Sequence, residues 1–296
     1  MQSASSAPSQ LLLIGIMGPT ASGKTELAEG LADHLDAQLI NADAFQVYRG
    51  MDIGTAKPAR KSEYKLVDIR NPSEGFGVGE YVSLAQQELF DCWKAGRSAI
   101  VVGGTGLYIR ALFEEYEDMA QAPDPELRRQ LSERSLEVLV EELIRIGGPE
   151  ATRVDLRNRV RVQRAVERIY SPKPSVPVRL PPFQKRKFSV FRDSVETNDR
   201  ITRRVETMVQ MGWVQEVRQL MAAGFSESDP GFRALGYRAL WRHLNGEIEL
   251  TEALATTIAE TRRYSKRQRT WLRTEPNLVA LDSGNALAQA TRHLQL

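Results

Sequence analysis

The chain has 296 residues, 42% of them hydrophobic, which is typical of a globular protein with one large domain or a core carrying a smaller insertion. A formal net charge of +2 excludes a polycation, although basic residues are clustered locally. The single cysteine, Cys92, excludes an intramolecular disulfide and a multi-cysteine zinc site, and the three histidines lack metal-ligand spacing.

The amino-terminal residues predict no membrane segment. Residues 1–10 are rich in Ser, Ala and Gln and carry no basic cluster. The apolar run that follows, residues 11–17, is too short for a signal core or a membrane span. We therefore expect a flexible tail over 1–10, then a buried strand, in a cytoplasmic protein that does not bind membranes.

The segment Gly18–Pro19–Thr20–Ala21–Ser22–Gly23–Lys24–Thr25 follows this strand and precedes a helical pattern over 26–35. A strand, a glycine loop and a helix in this order are the context of a phosphate-binding P-loop. Its backbone N–H groups can converge on phosphate oxygens, Lys24 adds a positive charge, and the Thr25 hydroxyl suits Mg²⁺. The pattern indicates a pyrophosphate-bearing ligand without specifying ATP. The alternative is a glycine turn without a ligand.

Asp43 comes directly after a second predicted buried strand, residues 37–42. A polar residue at the carboxyl end of a strand in an open α/β sheet points into the ligand crevice. Asp43 is therefore a candidate for chemistry. The alternative is a turn or cap aspartate, a common role for this residue type.

Two glycine-containing loops indicate further walls of the crevice. Residues 45–58 form a polar loop with two aromatic residues, which is typical of a binding loop or of an ordinary connection that packs Tyr48. A strand predicted over 98–102 leads into a Gly-Gly-Thr-Gly turn that offers the Thr105 hydroxyl. Between the two loops, the pattern predicts a strand over 65–70 and a helix over 80–95 that places Cys92 in the core.

The middle third changes composition and predicts an inserted helical module. Residues 123–146 have a helical apolar pattern, and residues 171–182 contain five prolines, which exclude a regular helix. Residues 185–187 are all basic. Between these segments lie six arginines: Arg153, Arg157, Arg159, Arg161, Arg164 and Arg168. This basic content suits a phosphate backbone, and the alternative is a solvated charged surface.

The last hundred residues predict helices. A long helix is expected over 200–223, another opens at 235–237, and a third covers 253–273. On the third, Arg262, Lys266, Arg269 and Arg273 share one face, and Tyr264, Gln268 and Trp271 follow another. A cationic stripe beside aromatic residues suits a nucleic acid or a diphosphate. Alternating strands and helices in the first hundred residues predict a parallel sheet.

Several of these segments resemble the bacterial tRNA dimethylallyltransferase family. They are residues 18–25, 46–58, 103–108 and 261–273, with weaker similarity at 161–167 and 234–238. The matches occur in order along nearly the whole chain. The resemblance implies an α/β fold with a P-loop kinase-like parallel sheet core, an inserted helical domain and carboxy-terminal helices. The implied core is 11–114 with 200–296, and the implied insertion, which would grip the tRNA anticodon arm, is 115–199.

The reaction that the resemblance implies is transfer of a dimethylallyl group from its diphosphate to N6 of the adenine 3′ of the anticodon, by a monomer that uses Mg²⁺. The implied catalytic residues are Asp43 as general base, Lys24 and Thr105. The diphosphate would contact residues 18–25, Arg164 and Arg200, with Thr25 as metal ligand. The implied tRNA contacts are Asp43, Ala44, Phe45, Gln46, Thr105, Val160, Arg161, Val162, Gln163 and Arg164.

The chain departs from the family's usual pattern at the residue after Asp43, among other positions. The family usually has Ser at the position of Ala44, so a hydroxyl beside the base is missing, and Phe45 can reshape the pocket. Phe45 and Tyr48 are the candidate stacking partners for the adenine.

Two rival functions stay open. One is an ATP-dependent small-molecule kinase, whose lid the basic cluster over 153–168 would imitate, and the other is a non-catalytic RNA-binding protein.

Overall fold

A computed structural model describes residues 11–115, 124–172 and 178–296. The chain divides into two compact units, the first made of residues 1–116 and 178–296 and the second of residues 117–177. The predicted tail and the centre of the proline-rich segment, residues 173–177, lie outside the described residues.

The first unit contains a sheet of six strands in the order β3-β2-β4-β1-β5-β6, and every neighbouring pair is parallel. The strands are β1 (Leu12–Met17), β2 (Gln38–Asn41), β3 (Tyr64–Lys65), β4 (Ala99–Gly103), β5 (Gln184–Phe191) and β6 (Leu278–Asp282). β1 is apolar and buried throughout because it lies between β4 and β5 with both faces covered. The predicted α/β class with a parallel sheet is confirmed.

Eleven α-helices occur in the described part of the chain. They are α1 (Lys24–Leu35), α2 (Val78–Lys94), α3 (Gly106–Phe113), α4 (Pro125–Ser132), α5 (Leu136–Gly147), α6 (Arg159–Tyr170), α7 (Ser194–Gln210), α8 (Trp213–Ala222), α9 (Tyr237–Leu244), α10 (Leu250–Leu272) and α11 (Ala286–Leu294). Helices α4 to α6 belong to the second unit. None of the helices in the described ranges is long and apolar enough to span a membrane.

Two of the apolar clusters in the described part of the first unit position the site. One joins the sheet to α1 and α11, with Leu31, Ile100 and Phe188 fully buried. The other packs the 45–58 loop against α8, α9 and α10 around Trp213 and Tyr237. The carboxyl ends of β1, β2 and β4 therefore meet a wall made by the carboxy-terminal helices.

The expected elements differ from the structure where backbone conformation intervenes. The strand predicted over 65–70 is limited to Tyr64–Lys65, because Leu66 (φ 63°) and Asp68 (φ 56°) adopt left-handed conformations that an extended strand cannot contain. The helix predicted over 200–223 is divided into α7 and α8 at Gly212, whose φ is 101°. Ser135 caps a new helix and divides the pattern over 123–146.

The carboxyl side of the insertion also differs from the expectation. The implied insertion over 115–199 includes residues 185–187, yet these residues lie in β5, which pairs with β1 and β6. Lys187 is buried there because its ammonium group binds the carboxylates of Glu114 and Glu275 at 2.8 and 2.7 Å. Pairing of this ammonium lets a basic sequence occupy a central strand. β6 and α11 were not predicted.

The second unit has its own apolar core, formed by α4, α5 and α6 around Leu131, Leu143 and Val162. Glu167 is buried beneath it and accepts two hydrogen bonds of 2.9 Å from Arg128 and one of 3.0 Å from Arg164. These arginines hold the pKa of Glu167 below its usual value even though burial acts in the opposite direction. Part of the basic content of this unit therefore stabilises its own fold.

Removal of the Glu275 charge tests the buried ion-pair cluster. The carboxylate is fully buried and binds Lys187 and Arg110, each at 2.7 Å. We expect Glu275→Gln to lower the free energy of unfolding by about 3 kcal/mol, because Lys187 keeps its buried charge with one carboxylate fewer. Urea unfolding followed by circular dichroism measures the change. The matched control, Glu206→Gln on the exposed face of α7, should change stability by less than about 0.5 kcal/mol. Equal stability of the two variants would contradict the prediction.

Candidate active site

The P-loop lies between the end of β1 and the start of α1, as the sequence predicts. Gly23 has a φ of 99°, and Ala21 also adopts a left-handed conformation, with a φ of 63°. A β-carbon at Gly18 would lie 2.5 Å from the Ser22 hydroxyl, so a larger residue there would displace this hydroxyl. The buried Ser22 hydroxyl has no hydrogen-bond partner among the described residues. The loop is thus tightly folded at the amino terminus of a twelve-residue helix.

Cationic side chains surround this loop. Burial and the charge of Arg204 lower the pKa of Lys24 to about 8, against the opposing effect of Asp43. Burial also lowers the pKa of Arg204, which lies near Asp43 and Arg200. Arg200, predicted to bind the diphosphate, donates from Nε to the carbonyl oxygen of Ala21 at 3.1 Å. The cluster therefore concentrates positive charge at the P-loop.

Arg204 and Arg192 belong to this surrounding and were missed in the sequence analysis. Arg204 follows Arg200 by one helical turn on α7, so a helical projection from Arg200 would have identified it. A guanidinium nitrogen of Arg192 lies 4.0 Å from the position of a β-carbon at Gly23. Arg192 comes directly after β5, which the sequence did not predict, so no local signal placed it near the loop.

Asp43 lies close to the P-loop cations, and its two carboxylate oxygens have different surroundings. Oδ1 accepts a hydrogen bond of 3.0 Å from the backbone N–H of Phe45, which makes Asp43 a turn aspartate. Oδ2 lies 3.2 Å from the position that a β-carbon would take at Gly104. One oxygen therefore fixes the backbone turn, and the other faces the glycine turn after β4.

The glycine turn after β4 holds the Asp43 segment by direct backbone contact. A β-carbon at Gly103 would lie 2.1 Å from the carbonyl oxygen of Ala42, so only glycine allows this approach. The same carbonyl accepts from the N–H of Thr105 at 3.2 Å, and the Thr105 hydroxyl accepts from the N–H of Ala44 at 3.1 Å. Thr105 thus lies beside Asp43, where the sequence analysis placed it, and its hydroxyl proton is available to a ligand.

Helix α10 closes the site from the other side. Gln268 contacts both the P-loop and Gly104, and the hydroxyl of Tyr264 lies 3.5 Å from the carbonyl oxygen of Gly104. Burial, with a smaller effect of the Asp43 charge, raises the pKa of Tyr264 well above its usual value, so this phenol stays protonated. Tyr264 and Gln268, which the helical pattern placed on one face of this helix, are therefore part of the site wall.

The 45–58 loop is held in place by hydrogen bonds within the loop and by hydrogen bonds to α8. The amide nitrogen of Gln46 donates to the carbonyl oxygens of Thr55 and Ala56 at 3.2 and 3.1 Å. Buried Glu216 of α8 accepts from the N–H groups of Asp52 and Ile53 at 2.8 and 2.7 Å. The loop therefore presents a preformed surface to the site.

The aromatic residues of this loop correct one expectation. Tyr48, expected as a stacking partner for adenine, is buried in the core, and burial raises the pKa of its hydroxyl. Its ring is thus unavailable to a base. Phe45 is only half-buried, with its ring centroid 6.5 Å from that of Tyr48, and remains the candidate for stacking.

The residues predicted to bind RNA on α6 have different exposures within the second unit. Val160 is 77% exposed and Arg161 is exposed, whereas Val162 is fully buried in the unit's core and cannot offer its side chain. Gln163 donates to the carbonyl oxygen of Arg128 at 3.2 Å, and Arg164 binds Glu167. The helical period explains the difference, because α6 needs one apolar face for its own core.

Two cavities in the first unit carry additional positive charge. One, of about 580 Å³, lies along α10 beside Lys266 and Trp271. The other, of about 600 Å³, lies between α9 and α10 and contains Arg233 and Arg238. Both are lined by Arg263 and Arg267. Of the predicted cationic stripe, only Lys266 lines one of these cavities, and the basic groove is formed instead by Arg263 and Arg267 with Arg233 and Arg238.

The protein offers few metal ligands of its own. No group of three or more His, Cys, Asp or Glu side chains suited to a metal ion occurs within residues 11–115, 124–172 and 178–296. Thr25 lies on the first turn of α1, directly after Lys24, with its side chain half-buried. A metal held here would therefore take most of its ligands from a bound phosphate and from water.

The sequence is similar to a described protein family and to several known proteins. The family model described as IPP transferase matches residues 46–275. The chain is 37% identical to tRNA dimethylallyltransferase 1 of Citrifermentans bemidjiense, over 96% of each protein. It is also 37% identical to the tRNA dimethylallyltransferase of Gloeobacter violaceus, over 91% of this chain and 92% of that protein.

Solved structures agree with this relationship. The full-length tRNA isopentenylpyrophosphate transferase of Bacillus halodurans has a TM-score of 0.70 and 31% identity, with 96% of this chain and 95% of that chain covered. A eukaryotic dimethylallyltransferase acting on tRNA has a TM-score of 0.80 over 96% of this chain and 78% of that chain. Its identity of 23% supports the fold alone.

Proton uptake tests the surroundings of Lys24. In the free protein the pKa of Lys24 is about 8, so above pH 8 much of the side chain is neutral. A bound polyanion favours the ammonium form and should raise this pKa. We expect inorganic pyrophosphate to bind with additional proton uptake at about pH 8 to 9, and this uptake should disappear in Lys24→Met. Calorimetry in two buffers of different ionisation enthalpy measures it.

The same proton balance fixes the sign of the stability effect. The unfolded chain binds more protons at this lysine than the native protein does above pH 8, so stability from this group rises with pH there.

Lys94→Met, at an exposed lysine, is the matched control for the proton uptake on pyrophosphate binding and should retain the wild-type uptake. Equal uptake by wild type and Lys24→Met would show that Lys24 does not face the bound anion.

Proposed function

The chain belongs to the tRNA dimethylallyltransferase (IPP transferase) family, and from this premise we propose the following assignment of donor, acceptor and catalytic groups. The protein transfers a dimethylallyl group to tRNA. Dimethylallyl diphosphate is the donor, and the acceptor is N6 of the adenine adjacent to the anticodon on its 3′ side. The product is N6-isopentenyladenosine. The observation that carries the proposal is the single site in which Asp43, the P-loop and the Gly104–Thr105 turn meet.

The P-loop side of the site binds the diphosphate leaving group. As the bond between C1 of the allyl group and the bridging oxygen breaks, negative charge accumulates on the diphosphate. The N–H groups of residues 21–25 and the charges of Lys24, Arg200 and Arg204 suit this charge. Positive groups fixed before the reaction need no reorganisation when the charge develops, so they lower the barrier.

Asp43 serves as the general base on the acceptor side. The N6 amine of adenine is a weak nucleophile because its lone pair is delocalised into the ring. Its proton becomes acidic as the bond from N6 to C1 forms, and Asp43 Oδ2, the oxygen directed toward Gly104, accepts it. The hydroxyl of Thr105 and the ring of Phe45 orient the flipped base beside this oxygen.

A magnesium ion completes the donor side. Thr25 is the protein ligand that we assign to it, with the remaining ligands supplied by the diphosphate and water. When bound, the ion would supply Lewis-acid stabilisation of the leaving diphosphate. The chain's own contribution is to hold the diphosphate and to keep the Lys24 ammonium group beside it.

RNA binding extends beyond the reacting base. The basic groove of Arg233, Arg238, Arg263 and Arg267 suits the phosphates of the anticodon stem-loop, and so do the exposed arginines of the second unit. An anticodon loop is a favourable substrate for base flipping because its bases are unpaired before binding.

The protein works as a cytoplasmic monomer in this proposal. The kinase alternative lacks support among the relatives, which are named for transfer to tRNA.

Nucleoside mass spectrometry on an unmodified anticodon stem-loop tests the assignment. We expect the purified protein with Mg²⁺ and dimethylallyl diphosphate to add one dimethylallyl group to the target adenosine, and expect no phosphorylated product with ATP. Asp43→Asn should lower kcat by about 10²-fold or more while stem-loop affinity stays near the wild-type value, because Asn cannot accept the proton.

The matched control is Asp36→Asn, since Asp36 is an exposed aspartate that follows α1 and pairs with Arg97. It should leave both turnover and binding unchanged. Near wild-type turnover by Asp43→Asn would contradict the base assignment. Absence of any prenylated nucleoside with the wild-type protein would contradict the proposed donor and acceptor.

A further inference from the structure

One side chain on α10 connects the donor and acceptor sides of the site. Gln268 is 8% exposed, and its side-chain oxygen accepts a hydrogen bond of 3.0 Å from the N–H of Thr20 in the P-loop. Its side-chain nitrogen donates to the carbonyl oxygen of Gly104 at 2.9 Å. Thr20 and Gly104 follow two different strands, so this single amide joins the P-loop to the glycine turn.

The chemistry of the two partners fixes the orientation of the amide. Thr20 offers a backbone donor and Gly104 a backbone acceptor, so only the Gln268 oxygen can face the first and only its nitrogen the second. A carboxylate of the same size could keep the first contact but not the second. An apolar side chain of similar length would lose both. The position therefore has a chemical requirement that glutamine meets and its nearest analogues do not.

This bridge lies beside the Asp43 carboxylate as well as at the P-loop. A β-carbon at Gly104 would lie 2.8 Å from the Gln268 amide nitrogen and 3.2 Å from Asp43 Oδ2. The bare face of Gly104 is thus bordered by both groups. A shift of the Gly104 turn relative to the P-loop would move Asp43 with it, because Thr105 holds the Asp43 segment through Ala42 and Ala44.

The helix that carries Gln268 is itself fixed in place. Trp271, three residues later, would be 2.2 Å from a β-carbon at Gly106, and the guanidinium carbon of Arg110 lies 4.0 Å from its ring centroid. Buried Glu275 binds the same arginine beyond the end of α10. These contacts hold the end of α10 that carries Gln268 in place. A side chain that sets the distance between two parts of a site needs such a fixed position.

We infer that Gln268 is a positioning residue that sets the spacing between the leaving diphosphate and the Asp43 carboxylate. The inference rests on the proposed function for the identity of the reaction. The bridge occupies the N–H of Thr20, so the diphosphate uses the backbone amides of the residues after Thr20. Binding of either substrate therefore does not require Gln268. Its contribution appears when N6, C1 and the leaving oxygen must be aligned, which is a requirement of the transition state.

A separation of kcat from KM tests this role. We expect Gln268→Met to lower kcat by about 10²-fold, with the KM values for dimethylallyl diphosphate and stem-loop RNA within about threefold of wild type. The matched control is Gln289→Met, which removes a side-chain oxygen that accepts from the N–H of Asp282 at 3.2 Å near α11. It should retain wild-type kcat. Thermal unfolding of both variants identifies any loss of fold.

A binding measurement that needs no turnover tests the location of the side chain. Gln268→Glu places a carboxylate beside the P-loop, so we expect inorganic pyrophosphate to bind more weakly by on the order of tenfold, while Gln268→Met changes its Kd little. Gln289→Glu is the control for the added charge. Isothermal calorimetry gives the Kd values, and this arm remains informative even if the wild-type protein forms no prenylated RNA.

Two outcomes would overturn the inference. A rise in KM for RNA with unchanged kcat in Gln268→Met would make the residue an RNA contact. Equal pyrophosphate affinity in wild type and Gln268→Glu would place the side chain away from the diphosphate cradle. A lower kcat with unchanged KM values, together with weaker pyrophosphate binding by the glutamate variant alone, would establish the positioning role.

Discussion

The site depends on a close backbone approach between the ends of two neighbouring strands. The carbonyl oxygen of Ala42 lies so near Gly103 that no β-carbon fits between them, and it accepts a hydrogen bond from Thr105. This contact holds the end of β2, and with it Asp43, against the turn after β4. Because the two strands are parallel and adjacent, the contact lies at the same edge of the sheet as the P-loop.

Electrostatics then gives the two sides of this crevice different tasks. Lys24, Arg200 and Arg204 concentrate positive charge at the P-loop. Burial, with a smaller effect of the neighbouring cations, lowers the pKa values of Lys24 and Arg204. Asp43 is the acidic group whose charge favours the protonated forms of both. A bound diphosphate would do the same more strongly, so the charges at the P-loop suit an anionic ligand.

The basic residues of the chain occupy two different surroundings. Arg128, Arg164 and Lys187 bind buried carboxylates and so stabilise the units in which they lie. Arg233, Arg263 and Arg267 line an open groove instead. Composition alone could not separate these roles, because an arginine that pairs with a buried glutamate looks the same in sequence as one that faces a phosphate.

The sequence by itself determined the parallel sheet, the P-loop and the position of Asp43 after β2, because local hydrophobic pattern and glycine spacing specify strand, loop and helix. It also identified the family through the 46–58 and 261–273 segments. Only the tertiary structure decided which side chains reach the site. Gln268 contacts the P-loop from a helix more than 170 residues away along the chain, and the charge of Arg204 acts on Lys24 from α7. Tyr48 and Val162 are buried in the cores instead. Such contacts depend on how distant elements pack, and no local pattern records that packing.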